Sequence, residues 1–208
     1  MHEWLQRVSS FFEQLESRAP GSVQQTDHAD PLERSAIVDL SSGFEHHIPE
    51  PLIQFYTTVA STTKFRYFVN EPYVYGGPCF FPPHEFEFGF DYCRQWGEPI
   101  AEDAPECGEL WLNSLVFAVI DNGDALGFDM RVTPDNPPVV YLDHEGEFHR
   151  PLAENFWDFL HRWERLCYAG PEIWMLEDYI HPETGLLDFN CDAAIQLRSK
   201  LGSPVPNV

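Results

Sequence analysis

The apolar positions near the start of the chain fall on one side of a helix. Trp4, Leu5, Val8, Phe11, Phe12 and Leu15 recur at i, i+1, i+4, i+7, i+8 and i+11, the stripe of a helix docked by one face. Pro20-Gly21 cannot continue it, and it ends near Arg18. The polar run from Ser22 to Asp30 reads as a loop. Asp30-Pro31 reads as the opening of a short helix, with Asp30 as N-cap and Pro31 at the first helical position. The same device recurs at Pro49 and Pro51, ahead of Leu52, Phe55, Tyr56 and Val59, which predict a second docked helix.

From Phe65 the period shortens toward two. Residues 64–70 and 74–81 read as strands, broken by Gly76-Gly77 and Pro82-Pro83. Glu85 to Trp96 reads as the start of a helix with Phe86, Phe90 and Cys93 on one face. Gly97 to Glu109, rich in proline and acid, reads as a solvated loop. Residues 110–122, 125–132 and 138–145 predict three strands of an antiparallel meander. They are separated by Asn122-Gly123, expected to adopt positive φ, and by the turn formers Pro134 to Pro137. Asn155, three residues before Asp158, caps a helix with Phe156, Phe159, Leu160, Trp163, Leu166 and Cys167 on its apolar stripe, stopped at Gly170-Pro171. A short apolar segment from Ile173 to Ile180, a turn at Pro182 to Gly185 and a last helix from about Cys191 to Leu201, ended by Gly202, complete the chain.

Composition changes this picture in one respect, the electrostatics. The 208 residues are 43% hydrophobic and 15% aromatic, enough for a substantial core, yet the net charge is −22. The charge therefore sits on a surface around a packed interior. A field of that sign repels nucleic-acid phosphates and anionic lipid and draws in basic partners, so the expectation is a basic protein partner, with no nucleic acid and no membrane. No apolar run approaches the roughly 18 residues of a membrane span, and the amphipathic, acid-containing start does not read as a signal peptide. Five widely spaced cysteines without a CxxC pair argue against a disulfide framework or zinc knuckle. A reducing cytoplasm is the natural setting.

Four fragments occur in an order that resembles the SUKH superfamily, the group that includes the fungal cell-wall assembly regulators. They are Ile48-Pro49-Glu50 with Phe55; Val119 to Asp124 (with Asp121, Gly123 and Asp124) followed by Phe128-Asp129; Val140 to His144, with Tyr141 and Asp143; and Leu152-Ala153 with the helix start containing Phe156, Phe159 and Leu160. The resemblance spans about residues 28–168. It implies an α+β fold, a central antiparallel sheet with helices packed around it, and a protein that binds and inhibits without catalysis. Many bacterial members of the superfamily are immunity proteins that neutralise toxins, often nucleases. Residues 1–170 are then expected to form the SUKH-like domain and residues 171–208 a helical extension packed on it.

The residues offer little chemistry of other kinds. His46-His47 with His84, His144 or His149 could supply metal ligands for a hydrolase, but no HxxxH or HxH spacing supports them, and surface histidines are the simpler reading. Cys79 with His84 as base, and Asp143-His144-Glu145 as an acid/base group, likewise read as a buried thiol and a polar turn. Asp121, Asp124 and Asp129 lack the ligand spacing of a calcium loop. No catalytic residue, metal or cofactor is therefore expected. What remains is charge: between Pro82 and Asp129 eleven acidic residues face Arg94 alone, and Pro171 to Asp192 carries six acids without Lys or Arg. The expected partner-binding patch is Glu85, Glu87, Asp91, Glu98, Glu102, Asp103, Glu106 and Glu109, with Tyr73, Tyr75, Phe80, Phe81 or Trp111 as apolar anchors. The leading expectation is an immunity protein that occludes the cleft of a basic toxin; a regulatory scaffold for host proteins is the alternative.

Overall fold

The computed structural model of the chain describes residues 2–41, 47–146 and 149–203. Helix α1 (Glu3–Arg18) buries all six residues of its predicted stripe, and the His2 side chain caps it by accepting the Trp4 amide at 3.2 Å. Strand β1 (Val23–Ala29) then pairs antiparallel with β2 (Thr62–Val69) where a loop was expected. It is an outer, mostly exposed strand, so its residues carry no apolar alternation. Helix α2 (Arg34–Ser41) starts at Arg34 rather than at Pro31, because the Leu32 amide is held extended by the Tyr56 carbonyl at 2.9 Å. Helix α3 (Glu50–Thr58) follows Pro49 as predicted. Strands β3 (Val74–Gly76) and β4 (Cys79–Phe80) both pair with β2 and complete a four-stranded sheet.

The acidic segment expected to be a loop is a helical hairpin. A 3-10 turn (Pro83–Glu85) leads into α4 (Phe86–Asp103), and α5 (Pro105–Leu112) returns against it. Pro105 stands in the first turn of α5, where its missing amide costs nothing, and Pro99 is tolerated on the exposed side of α4. The helices touch at Gly108, where any Cβ would lie 2.5 Å from Ala101.

A second four-stranded antiparallel sheet follows in simple order: β5 (Ser114–Val119), β6 (Ala125–Asp129), β7 (Val139–Leu142) and β8 (His149–Ala153). The fold is α+β as expected, but with two antiparallel sheets rather than one central one. Residues 110–112 end α5 instead of opening β5, and β8 adds a strand beyond the expected three. The sheets meet where the Phe81 amide donates to the Phe117 carbonyl at 2.8 Å. In the β5–β6 turn only Gly123 has positive φ, at +105°. Asn122 keeps an ordinary φ while its side chain accepts the Asp124 amide at 3.1 Å.

Strands β5 to β7 are buried on both faces, and their alternation sorts side chains between two cores. Leu115, Phe117, Leu126, Phe128, Val139 and Tyr141 join the main core with α1, α3 and α6; Val116, Ala125, Val140 and Leu142 join a smaller one under α4 and α5, with Tyr92, Cys93, Ile100 and Trp111. Helix α6 (Phe156–Arg165) is capped as predicted, with Asn155 accepting the Asp158 amide and Asp158 the Glu154 amide, each at 3.0 Å. It ends at Arg165, five residues earlier than expected, because Cys167 and Tyr168 turn the chain in left-handed conformations. Helices α7 (Ile173–Leu176) and α8 (Asp192–Leu201) complete the described fold, and Gly202, at φ +94°, ends α8. No helix among the described residues is long and apolar enough to cross a membrane.

Candidate partner-binding face

Because Phe86, Phe90, Cys93, Gly97 and Ile100 turn one side of α4 to the core, Glu87, Asp91, Glu98 and Glu102 fall on the opposite, exposed side. Asp103 ends α4, and Glu106 and Glu109 are exposed on α5. Glu85, half-buried, belongs to the turn before α4. Seven of the eight carboxylates of the expected patch thus share one hairpin, and Glu85 immediately precedes it. Its single basic residue, Arg94, donates to Asp91 at 2.8 Å.

This arrangement is unfavourable for the chain alone. Glu102 and Asp103 sit in the last turn of α4, which holds no basic residue, and the exposed carbonyls there disfavour anions by about 0.3–1 kcal/mol each. Glu98 and Glu102 add an i,i+4 like-charge pair. Opposing Lys or Arg on a partner would relieve both.

The hairpin also carries an exposed aromatic side chain that sequence reasoning missed. Phe88, 52% exposed, lies between Glu87 and Asp91 in sequence, with its ring 5.5 Å from Phe81 and 5.7 Å from Tyr92. The alternation of Phe86, Phe88 and Phe90 was its only signal, and that reads equally well as a strand. Of the expected anchors, Phe80 and Trp111 are buried in the cores and cannot reach a partner. Phe81 is half-buried, and Tyr73 and Tyr75 belong to the first sheet and its turn.

The motif residues of the meander form a structural hub. Asp124 is buried and accepts the Tyr141 hydroxyl, the His144 amide at 3.0 Å, a contact with His144 Nδ1 at 2.7 Å and the Asn122 side-chain amide at 2.5 Å. Burial pushes its carboxyl pKa up, but these hydrogen bonds together outweigh burial and hold it below the usual carboxylate value. Tyr141 is shifted the other way, above the ordinary phenol, by burial and by Asp124. Asp129 takes two bonds from the Arg131 guanidinium at 2.8 and 2.9 Å and one from its amide at 3.1 Å, and Asp143 accepts the Glu145 amide at 2.9 Å. Asp121 is exposed in the turn. Ile48 and Pro49 are buried, while Glu50 accepts Arg34 at 2.7 and 2.6 Å, which lowers its pKa. Phe156, Phe159 and Leu160 lie in the main core.

The histidines do not converge. His47 pairs with Asp135 at 3.1 Å, His84 lies 3.8 Å from Glu85, and His144 is bound to Asp124; His46 and the side chain of His149 fall outside the described residues. Among the described residues, ligand atoms of Asp124, Asp143 and His144 come within 4.8 Å of one another. Asp124, however, already accepts three protein donors and holds the His144 ring, so the trio reads as a hub rather than a ligand set. The five cysteines are free, and burial raises the Cys93 and Cys167 thiols to about 12, far from the range of a nucleophile. Cys79 is partly exposed in a cleft, and His84, its imagined base, is beside Glu85.

A family model described as SMI1 / KNR4 family (SUKH-1) matches residues 31–162. The match runs from just before α2 into α6, leaving α1, β1 and the chain beyond Arg162 outside it. No curated protein and no solved structure matches the chain. The family includes toxin-immunity proteins, and its members are generally non-enzymatic immunity or regulatory domains that bind partner proteins.

Proposed function

The chain belongs to the SMI1 / KNR4 family (SUKH-1), and we propose that it is a cytoplasmic immunity protein that neutralises a basic, nuclease-type toxin by covering its active cleft, with no catalysis of its own. One observation carries this reading: seven acidic residues and Arg94 alone on the α4–α5 hairpin, two of the acids placed where the helix end disfavours them. A nuclease cleft is lined with Lys and Arg that hold phosphates. A rigid carboxylate surface competes for the same groups, accelerates encounter through its field, and Phe88 supplies an apolar contact that excludes water. The free thiols agree with a reducing compartment.

The test is to express the products of the adjacent reading frames as candidate toxins and measure binding at about 0.05 M and 0.5 M salt, between which the Debye length falls severalfold. Affinity should drop steeply with salt. The combined variant Glu98→Gln, Glu102→Gln, Asp103→Asn and Glu106→Gln should bind at least about tenfold more weakly, the equivalent of about 1.4 kcal/mol. Salt-independent binding, or unchanged affinity in that variant, removes the acidic face from the interaction.

A further inference from the structure

A second surface lies at the seam of the two sheets, and none of its lining residues comes from α4 or α5. There β3 and β4 face the end of β5 across a cleft of about 180 Å³. That is smaller than the roughly 300–1,000 Å³ that holds a drug-sized molecule and suits one long side chain. Its lining is mostly apolar but includes Gln24, Arg66 and Asp121, and Glu172 stands in its wall beside Tyr75.

Glu172 is held in an unusual way. One carboxylate oxygen accepts the Tyr75 hydroxyl and the other the Trp174 indole N–H at 2.6 Å. Both donors are neutral, so the carboxylate is fixed in position while neither donor cancels its charge. Around it, Trp174 and Tyr73 are 51% and 61% exposed. Their ring centroids are 6.2 Å apart, and each is 6.4 Å from Tyr75. Exposed Asp121 also lines the cleft, against Arg66 as its one basic lining residue. Two large aromatic side chains left side by side in water, bordering an oriented carboxylate, form a surface built for contact.

We propose that this cleft receives a single arginine side chain from the protein partner. Its guanidinium enters the cleft to meet Glu172 beside Tyr75, and its aliphatic stem lies against the exposed Trp174 and Tyr73 rings. Arginine fits better than lysine because a planar, weakly hydrated cation both stacks on aromatic faces and forks onto a carboxylate. The inference rests on the reading that the partner is basic. It adds a directional anchor to the diffuse attraction of the hairpin.

The experiment uses the full chain, labelled with nitrogen-15, and three capped tripeptides, Gly-Arg-Gly, Gly-Lys-Gly and Gly-citrulline-Gly. The Trp174 indole signal is assigned by its loss in Trp174→Phe. The arginine peptide should shift that signal saturably, the lysine peptide more weakly, and the isosteric, uncharged citrulline peptide not at all. Glu172→Gln, which preserves shape, should weaken the effect about tenfold, the scale of one desolvated charge contact, while the spectrum reports that the fold is intact. The quadruple hairpin variant should leave it unchanged. An equal response to citrulline, or arginine-induced shifts confined to α4 and α5, overturns the cleft and leaves the acidic face standing. Failure of the salt-dependent toxin assay with the Trp174 response intact removes the acidic face alone.

Discussion

The Tyr141 hydroxyl donates to buried Asp124 and accepts the Ile173 amide at 3.0 Å. One side chain on β7 thereby joins the β5–β6 turn to the start of α7, which lies outside the matched family region. The turn that reads in sequence as simple punctuation is thus tied to the far end of the chain through a buried charge. The motif residues of the meander hold architecture.

Replacing Asp124 tests that hub. Asp124→Ala leaves the Tyr141 hydroxyl, the His144 ring and the Asn122 amide without their acceptor, at a cost of about 3 kcal/mol. In a chain of this size that lowers Tm by about 6–12 °C. The folded carboxyl has a pKa below its unfolded value, so its contribution is complete above the unfolded value near pH 4 and fades as pH falls through the folded one. Melting curves of both proteins at pH 7 and in acid should show their difference shrinking at low pH; a constant difference contradicts the assignment.

Arg7 and Glu164 pose a similar test between α1 and α6. Two bonds at 2.5 and 3.2 Å join them, and the Glu164 side chain is 2% exposed while Arg7 remains partly in solvent. Arg7→Met strands a buried carboxylate. Solvent screening at Arg7 reduces the cost of breaking the pair to about 2 kcal/mol. Adding Glu164→Leu should restore most of the loss, since an apolar pair suits the site. A double variant no better than the single one, judged by urea midpoints, counts against the pair as the cause.

Much of the fold was legible because local signals agreed with it: the stripe of α1, the Asn155 cap of α6 and the Gly202 stop of α8 all follow from neighbours in sequence. The failures have physical causes. Strand β1 is an outer, polar strand whose pairing is decided by β2, and the end of α4 with α5 looks like a loop because Pro99, Pro105 and the acids mask the Gly97 and Gly108 contacts that hold the hairpin together. The eight acids were readable as a charge run, but the hairpin that seven of them share was not. The cleft was invisible, since Tyr75 and Glu172 are 97 positions apart.

The strain attributed to the hairpin is itself measurable. Glu102→Gln with Asp103→Asn removes two anions from a helix C-terminus and one i,i+4 repulsion, and should stabilise the free protein by about 0.5–1.5 kcal/mol at low salt. The gain should largely vanish near 1 M salt, where the Debye length is about 3 Å. The same variant should bind the toxin more weakly. A variant that is no more stable shows the acids to be adequately solvated, and the argument that a partner relieves them then falls.

The segment beyond Gly170 bears on what counts as the domain. Leu176, Leu187, Leu197 and Leu201 are buried in the same core as α1 and α6, the Leu187 amide donates to the Leu152 carbonyl at 3.0 Å, and the Arg162 guanidinium donates to the Leu187 carbonyl at 2.6 Å. We propose that this segment completes one folding unit with residues 1–170. At about 2 kcal/mol per buried leucine the four contribute about 8 kcal/mol, comparable to the entire stability of an ordinary domain, about 5–15 kcal/mol. A chain ending at Gly170 should therefore lack a cooperative urea transition and bind a hydrophobic dye. A truncated chain that unfolds cooperatively with nearly native midpoint shows instead that the tail is an accessory, and that residues 1–170 hold their core without it.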